Sequence, residues 1–415
     1  MDAVYLVPIG ILGLVRWVSW LVRRIPAALY RPMSTGHRES LAIVVPVYQE
    51  DPDIFRRALD SWMANDVDEI ICVVDRTDQA CLDIARACPS PVRVIVTDVP
   101  GKRDALRKGW TAARSSLVAL VDSDTMWAGN LARLVCEPFA DPTIGGVGTR
   151  QSVLNPHGLW QTIAELYLDY RYFDEIASQT VMGRAVSCLS GRTAIYRREL
   201  LVSHTERFMH ETFMGVPCMS GDDKRLTCLT LEAGYGTFLQ RSARVWSVFP
   251  DKGATFLRQR TRWARNTWRS DLRALSSRWV WRHPFLAFCM ADKALAGTTL
   301  LVSATFMILS LAAHRWDVAA ILAAWWLVSR SVKMLPHLER RPRDIVLMPA
   351  FILVSIGMAV VKLWALLTVR KQLWLTRDVG VVDGEVVRTG VMAELSPAAP
   401  APAKMILDGS EPAAS

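Results

Sequence analysis

From Ser40 onward, short apolar runs rich in β-branched residues recur at intervals: LAIVVPV from Leu41, EIICVVD ending at Asp75, VRVIVT from Val92 and LVALVD ending at Asp122. Each is too short for a helix and is bounded by polar turn residues, so each is predicted as a strand. The stretches 53–63 and 102–114 between them carry helical spacing. Strands alternating with helices imply an α/β fold with a mostly parallel, Rossmann-like sheet covered on both faces. Such sheets bind ligands beyond the carboxyl ends of their strands, so the acids that end these runs are the first candidates for chemistry.

A second pattern is superimposed. Apolar runs at 3–22, 294–313, 318–335 and 345–369 approach the ~20 residues that a membrane-spanning helix needs. Only Asp2 precedes the first run, whereas Arg23, Arg24, Arg31 and Arg38 follow it. This reads as an uncleaved anchor with its N-terminus outside, and the positive-inside bias places the α/β region and the basic loop 340–343 in the cytoplasm. The expectation is a multi-pass plasma-membrane protein with an outward turn near His314. Around Asp383-Gly384, alternating valines predict a two-residue hairpin, and the Pro/Ala-rich tail from 391 is expected to be disordered.

Composition sharpens this picture. In 415 residues, 51% are hydrophobic and 16 are tryptophan, which argues against a purely soluble chain. The net charge of +9 is explained by basic residues flanking membrane spans, so a lipid bilayer is expected as partner and nucleic acid is not. Eight cysteines without a CxxC pair point to neither a zinc site nor a disulfide framework.

In VDSDT, Asp122 and Asp124 sit two residues apart and project to one side of an extended segment. Such a pair suits Mg²⁺ or Mn²⁺ completed by substrate phosphates; the blander alternative is capping of a following helix. Asp75 is placed to meet a ribose or base, whereas Asp78 reads as a helix cap. PGKRDAL sets Lys102 and Arg103 at a helix start, either a phosphate site or a solvated terminus. In SGDDKRLT, one of Asp222 and Asp223 caps a helix and the other is available as a general base, or both merely cap. GGVG at 145–148 lacks the G-x-G-x-x-G spacing and is set aside. In RQRTRWARNTWR, helical geometry aligns Arg258, Arg262, Arg265 and Arg269 beside Gln259 and Trp263. The spacing alone is compatible with a membrane-surface helix.

Taken in order, VVPVYQE, VVDRTD, GKRDAL, VDSDTM, CLSGRTAIYR, SGDDKRLTCLTLEAGY and RQRTRW resemble the membrane-bound processive family 2 glycosyltransferases, most closely the hyaluronan synthase branch, then chitin-oligosaccharide synthases. QRTRW meets the Q-x-x-R-W signature of processive members. The resemblance implies a cytoplasmic GT-A domain with α-helical transmembrane and interfacial helices. It divides the chain into an anchor (1–24), a catalytic domain (38–252), an interfacial helix (253–282), transmembrane or re-entrant helices (283–370), a gating segment with hairpin (371–390) and a tail (391–415). It further implies that Pro46, Tyr48, Glu50, Asp75, Lys102 and Arg103 contact a UDP-sugar. Asp122 and Asp124 become the diphosphate and metal site, and Asp223, with Asp222 beside it, the catalytic base. Gln259, Arg262 and Trp263 hold diphosphate and acceptor, Cys188 lines the acceptor channel, and Trp374 belongs to a gating segment. The chain departs from the family where Leu375 replaces a glycine and where Arg192 stands in place of a proline after Ser-Gly. With Trp374 cytoplasmic, the run 345–369, containing Pro349, Gly357 and Lys362, is expected to be a re-entrant or interfacial pair.

The implied activity is polymerisation of UDP-sugars into an extracellular polysaccharide with inversion, in the manner of hyaluronan synthase. A single-donor chitin-oligosaccharide or other β-glycan synthase is the alternative. A membrane-tethered nucleic-acid or anionic-lipid binder explains the arginine stripe but neither acidic motif.

Overall fold

The computed structural model describes residues 11–371, 379–382 and 385–388. The strands are β1 Leu41–Val47, β2 Glu69–Asp75, β3 Val92–Thr97, β4 Leu117–Val121, β5 Thr125–Trp127, β6 Ile144–Val153, β7 Thr193–Arg197, β8 Thr212–Phe213, β9 Val216–Pro217 and β10 Gly236–Ser247. All four runs expected to be strands are strands.

Eight of these form one sheet in the order β3-β2-β1-β4-β7-β6-β10-β5. The sheet is mixed rather than mostly parallel. β3, β2, β1 and β4 run parallel, but β7 is antiparallel to both β4 and β6, and β5 to β10. β1, β2 and β4 are apolar on both faces because helices cover both. One covering helix, Lys102–Ala112, packs so closely that a Cβ on Gly109 would stand 2.1 Å from Val44 Cγ1. GGVG lies inside β6 and opens no helix; a Cβ on Gly146 would come within 2.7 Å of Leu189.

The Gly253–Leu275 helix carries the arginine-rich motif, as its spacing predicted. It does not lie on the surface along its length. Arg265 is buried and donates to Thr368 Oγ1 at 3.1 Å, Arg269 is buried and donates to the Val369 carbonyl at 3.2 Å, and Trp268 Nε1 donates to the Lys362 carbonyl at 2.8 Å. Three side chains suited to a headgroup layer instead clamp the end of the last apolar helix to the catalytic domain. Of the three acceptors, the Val369 carbonyl lies just past the helix end, where intrahelical donors run out.

Among the described residues, two helices are long and apolar enough to cross a membrane, Pro284–Ala312 and Pro342–Leu367. Within the second, Met348–Leu367 is a continuous helix through Gly357, so the expected re-entrant pair is one element. Pro349 sits in its first turn, where a missing N–H costs nothing. Trp316–Lys333 is helical, and Leu12–Ala28 forms the described part of the N-terminal run. Arg16 and Arg23 of the latter both pair with Asp292 of the Pro284–Ala312 helix. The strands β11 Val379–Val382 and β12 Glu385–Arg388 pair antiparallel, with Val382 opposite Glu385 as the hairpin signal predicted. Trp374 and the 391–415 tail lie outside the described residues. All eight cysteines are free.

Between the apolar helices, His337 is 1% exposed. Its Nδ1 lies 2.7 Å from Asp169 and its Nε2 2.8 Å from Asp344, while Arg340 and Arg150 also reach Asp169. This knot docks the connecting segment onto the Leu159–Tyr170 helix. Burial alone would depress the imidazole pKa, but its two carboxylate partners outweigh burial and raise it. The stabilisation is therefore complete below the unfolded value near 6.5 and is lost as pH rises through the higher folded value. His337→Ala is expected to cost about 1–3 kcal/mol at pH 6. Its penalty should shrink toward pH 9, as read from thermal unfolding in detergent; a pH-independent penalty would assign the residue a packing role only.

Candidate active site

The loops that leave the carboxyl ends of β1, β2 and β4 and the segment entering β7 surround a cavity of about 380 Å³, within the range of small-molecule sites. It lies where expected for a sheet of this kind. Pro46, Tyr48 and Glu50 follow β1, Asp75 ends β2, and Asp122 and Asp124 follow β4; all line the cavity. Asp75 accepts from the backbone N–H and hydroxyl of Thr77, at 3.0 and 2.6 Å, which fixes its carboxylate at the rim. Asp78 caps the next helix by accepting from Cys81 N–H, the structural role read from sequence.

Two glycines bring helix starts to the cavity. Gly101 (φ 112°) precedes the Lys102–Ala112 helix and Gly221 (φ 93°) the Asp222–Glu232 helix, both in backbone regions that side-chain-bearing residues avoid. Lys102 Nζ then reaches Asp122 Oδ1 at 2.5 Å. Burial works to lower the ammonium pKa, but Asp122, Asp222 and Asp223 hold it above the ordinary value. Asp122 and Asp124 cap no helix, since β5 follows them. The Asp124 carboxyl is pushed up to about 6, first by burial and then by the charges of Asp122 and Glu50, against the opposing charge of Arg192. Crowded carboxylates of this kind accommodate a divalent cation. Among the described residues no set of three or more His, Cys, Asp or Glu side chains is placed to hold one, so substrate oxygens would have to complete its shell.

The two adjacent acids divide their roles differently from a simple cap. Asp222 is 7% exposed and accepts from Arg103 Nε at 2.9 Å. Asp223 is half-buried and faces the cavity. Its Oδ1 accepts from Lys224 N–H at 2.8 Å, and its Oδ2 lies 3.5 Å from both Cys188 Sγ and Gly191 N. Burial and the neighbouring Asp223 push the Cys188 thiol up to about 12, so it faces the carboxylate as a protonated donor. A Cβ on Gly191 would stand 3.3 Å from Lys102 Nζ and 3.5 Å from Asp223 Cβ; the absence of a side chain there keeps the space beside the base open.

Arg103 does not line the cavity, contrary to the expectation of a nucleotide contact. Its guanidinium donates to Asp222, to the Phe208 carbonyl at 2.7 Å and to Glu211 at 2.5 Å. The next residue along a helix points about 100° away, so Lys102 and Arg103 cannot share one face. Arg103→Ala should leave Asp222 and Glu211 uncompensated in the interior and cost about 3–5 kcal/mol. Loss of folded yield and a lower Tm in thermal unfolding is the expected result.

Gln259, Arg262 and Trp263 all line the cavity, a placement that the helical spacing by itself did not require. Sequence reasoning missed Arg171, Arg260 and Lys293, which line it too. Arg171 opens the π-helical turn Arg171–Glu175, which no periodicity announces. Lys293 sits in the apolar Pro284–Ala312 helix, and a charge in such a helix was a readable signal of a cavity.

The sequence profile described as "Glycosyltransferase like family 2" matches residues 37–266, which span β1 through the Gln259–Trp263 motif. The chain belongs to this family, whose members transfer sugars from nucleotide-sugar donors. An N-acetylglucosaminyltransferase of Rhizobium meliloti is 30% identical, over 85% of this chain and 84% of the relative. A type 2 glycosyltransferase of Pyricularia oryzae is 29% identical, over 83% and 75% respectively. Among solved structures, the mannosyltransferase PcManGT from Pyrobaculum calidifontis, in complex with GDP-Man and Mn²⁺, superposes with a TM-score of 0.59 at 22% identity, covering 85% of this chain and 97% of that one. This last likeness establishes the GT-A-like fold.

Proposed function

We propose that the protein is a membrane-embedded, inverting β-glycosyltransferase that extends a saccharide acceptor from a UDP-sugar, with UDP-N-acetylglucosamine as the donor. The observation that carries this reading is the cavity itself, in which Asp75, the Asp122/Asp124 pair and Asp223 meet in that order across the sheet edge. The N-acetylglucosaminyltransferases among its relatives favour a single-donor, chitin-oligosaccharide type of product. The hyaluronan synthase type, which alternates UDP-glucuronate with UDP-N-acetylglucosamine, is the second reading, supported by the motif order.

Asp75 and the end of β1 would hold the nucleoside, and Lys102 and Arg262 the diphosphate. Asp223 takes the proton of an acceptor hydroxyl, whose oxygen bonds to the anomeric carbon as the bond to UDP breaks; one displacement inverts that centre. Asp122 and Asp124 would hold Mg²⁺ or Mn²⁺, which would supply positive charge beside the diphosphate; the Mn²⁺ bound by PcManGT supports a metal here. The apolar helices Pro284–Ala312 and Pro342–Leu367 support insertion of the domain at a membrane, and the arginines that follow the first apolar run favour a cytoplasmic cavity.

Membranes containing the protein, supplied with each donor singly and with both, test the assignment. Polymer from UDP-N-acetylglucosamine alone is the expected result. A requirement for both donors, with a hyaluronidase-sensitive product, would replace it by the second reading, and no UDP-sugar turnover with any donor would refute both.

A further inference from the structure

Asp223 is held at the cavity by weak direct contacts. Apart from the Lys224 N–H of its own helix, its carboxylate meets Cys188 Sγ and Gly191 N at 3.5 Å, near the outer limit of a hydrogen bond. Where this carboxylate sits is therefore set by where its helix begins. The Asp222–Glu232 helix starts after Gly221 without a side-chain cap, and glycine has the least restricted backbone of any residue. The start has to be fixed from outside the helix.

Arg103 holds Asp222, and the turn before it is held by the Gly253–Leu275 helix. A Cβ on Gly221 would stand 3.3 Å from Asn266 Cγ, so the turn is seated directly on the Asn266 side chain. One residue earlier, Ser220 Oγ donates to Asn266 Oδ1 at 2.9 Å. Arg269 Nη2 donates to the same Oδ1 and to Ser220 Oγ at 3.3 Å, while its Nη1 is anchored on the Val369 carbonyl. Ser220, Asn266 and Arg269 are all buried, where hydrogen bonds are electrostatically stronger than in water.

Asn266 follows Trp263 by three residues and Arg262 by four, positions that share a helix face, and all three line the cavity. One helix thus carries the groups assigned to diphosphate and acceptor and, within a turn or two of them, the residues that seat the base. We propose that Ser220, Asn266 and Arg269 are positioning residues for the transfer step, registering the start of the base helix against the motif helix so that Asp223 reaches the acceptor hydroxyl. A general base works only within about 2.6–3.2 Å of the oxygen it deprotonates, and a misplacement of about 1 Å can cost on the order of 10²-fold in rate. The inference rests on the transferase reading above and adds residues that act through its base. Asn266 faces the cavity, whereas Ser220 and Arg269 stand behind its lining, so Ser220 can influence transfer only through the loop it locks.

The test uses the full-length protein in detergent with UDP-N-acetylglucosamine as donor and an N-acetylglucosamine oligosaccharide as acceptor. Calorimetry with UDP counts the competent sites in each preparation. Ser220→Ala removes one buried hydroxyl and no atom of the cavity lining. Its kcat per UDP-binding site is expected to fall by on the order of tenfold, with UDP affinity and acceptor KM at their wild-type values. Asn266→Ala should lower kcat at least as far, and the double variant should be no slower than Asn266→Ala, because both substitutions open the same lock. An unchanged kcat per site in Ser220→Ala overturns the proposal. So does a loss of turnover matched by the loss of UDP-binding sites, which would leave these residues a role in folding alone. Multiplicative effects in the double variant also overturn it, since Asn266 would then act on the substrate directly. Absence of turnover in the unsubstituted protein would instead refute the transferase reading, and this inference with it.

Discussion

Replacing Asp223 by Asn is expected to lower the transfer rate by about 10²–10⁴, the contribution of a positioned general base, while UDP binds as before. The side chain keeps its shape, and Lys224 N–H can still donate to its oxygen as it does to Asp223 Oδ1. What disappears is the capacity to accept the acceptor's proton. Radiolabelled sugar incorporation and UDP calorimetry on the same preparation separate these effects. The adjacent Asp222→Asn gives the contrasting control: Asp222 is buried against Arg103, so its loss should appear in folded yield and Tm. Chain elongation at the normal rate by the Asp223 variant would end the assignment of Asp223 as base.

The second large effect is expected at Asp124. Asp124→Asn removes one of two carboxylates available to a cation, and turnover should fall by on the order of 10² or more with a raised metal requirement. A chelator should abolish activity of the unsubstituted enzyme, and Mn²⁺ or Mg²⁺ should restore it. Asp122 is already compensated by Lys102 at 2.5 Å, so Asp122→Asn also frees a lysine and combines two effects. Asp124 gives the cleaner reading: its side chain accepts from the Thr125 hydroxyl at 3.2 Å, and no lysine or arginine within ion-pair distance is released by its substitution among the described residues, although the charge of Arg192 acts on it. Full activity in chelator, together with an unimpaired Asp124→Asn, would remove the metal from the mechanism.

Lys293 reaches the cavity from an apolar helix and holds Glu175, so the cavity is built partly by residues outside the 37–266 family match.

Much of the scaffold was legible from local pattern. β1, β2 and β3 were read to their ends, because apolar β-branched runs bounded by turn residues report a buried strand without reference to anything distant. β7 was hidden, since TAIYR is short and is made a strand by pairing with β4 and β6, neither adjacent to it in sequence. Of the site, the acids at strand ends were legible because their position follows from the strands. Arg103, Arg265 and Arg269 were misread because a cation's role depends on its partner. Asp222 lies 119 residues from Arg103, and Thr368 lies 103 from Arg265.

The sequence by itself determined the α/β alternation, the acidic pair after β4, the paired acids after Gly221, the helical arginine motif and the long apolar helices. These are properties of neighbours in the chain, where periodicities of two and 3.6 and residue chemistry act directly. Only the tertiary structure decided which of the many cations are neutralised and which face the cavity. It buried Arg103, Arg265 and Arg269 against distant partners and brought Lys293 from an apolar helix to the site. Charge pairing is set by proximity in space, and proximity between residues more than a hundred positions apart exists only once the chain has folded.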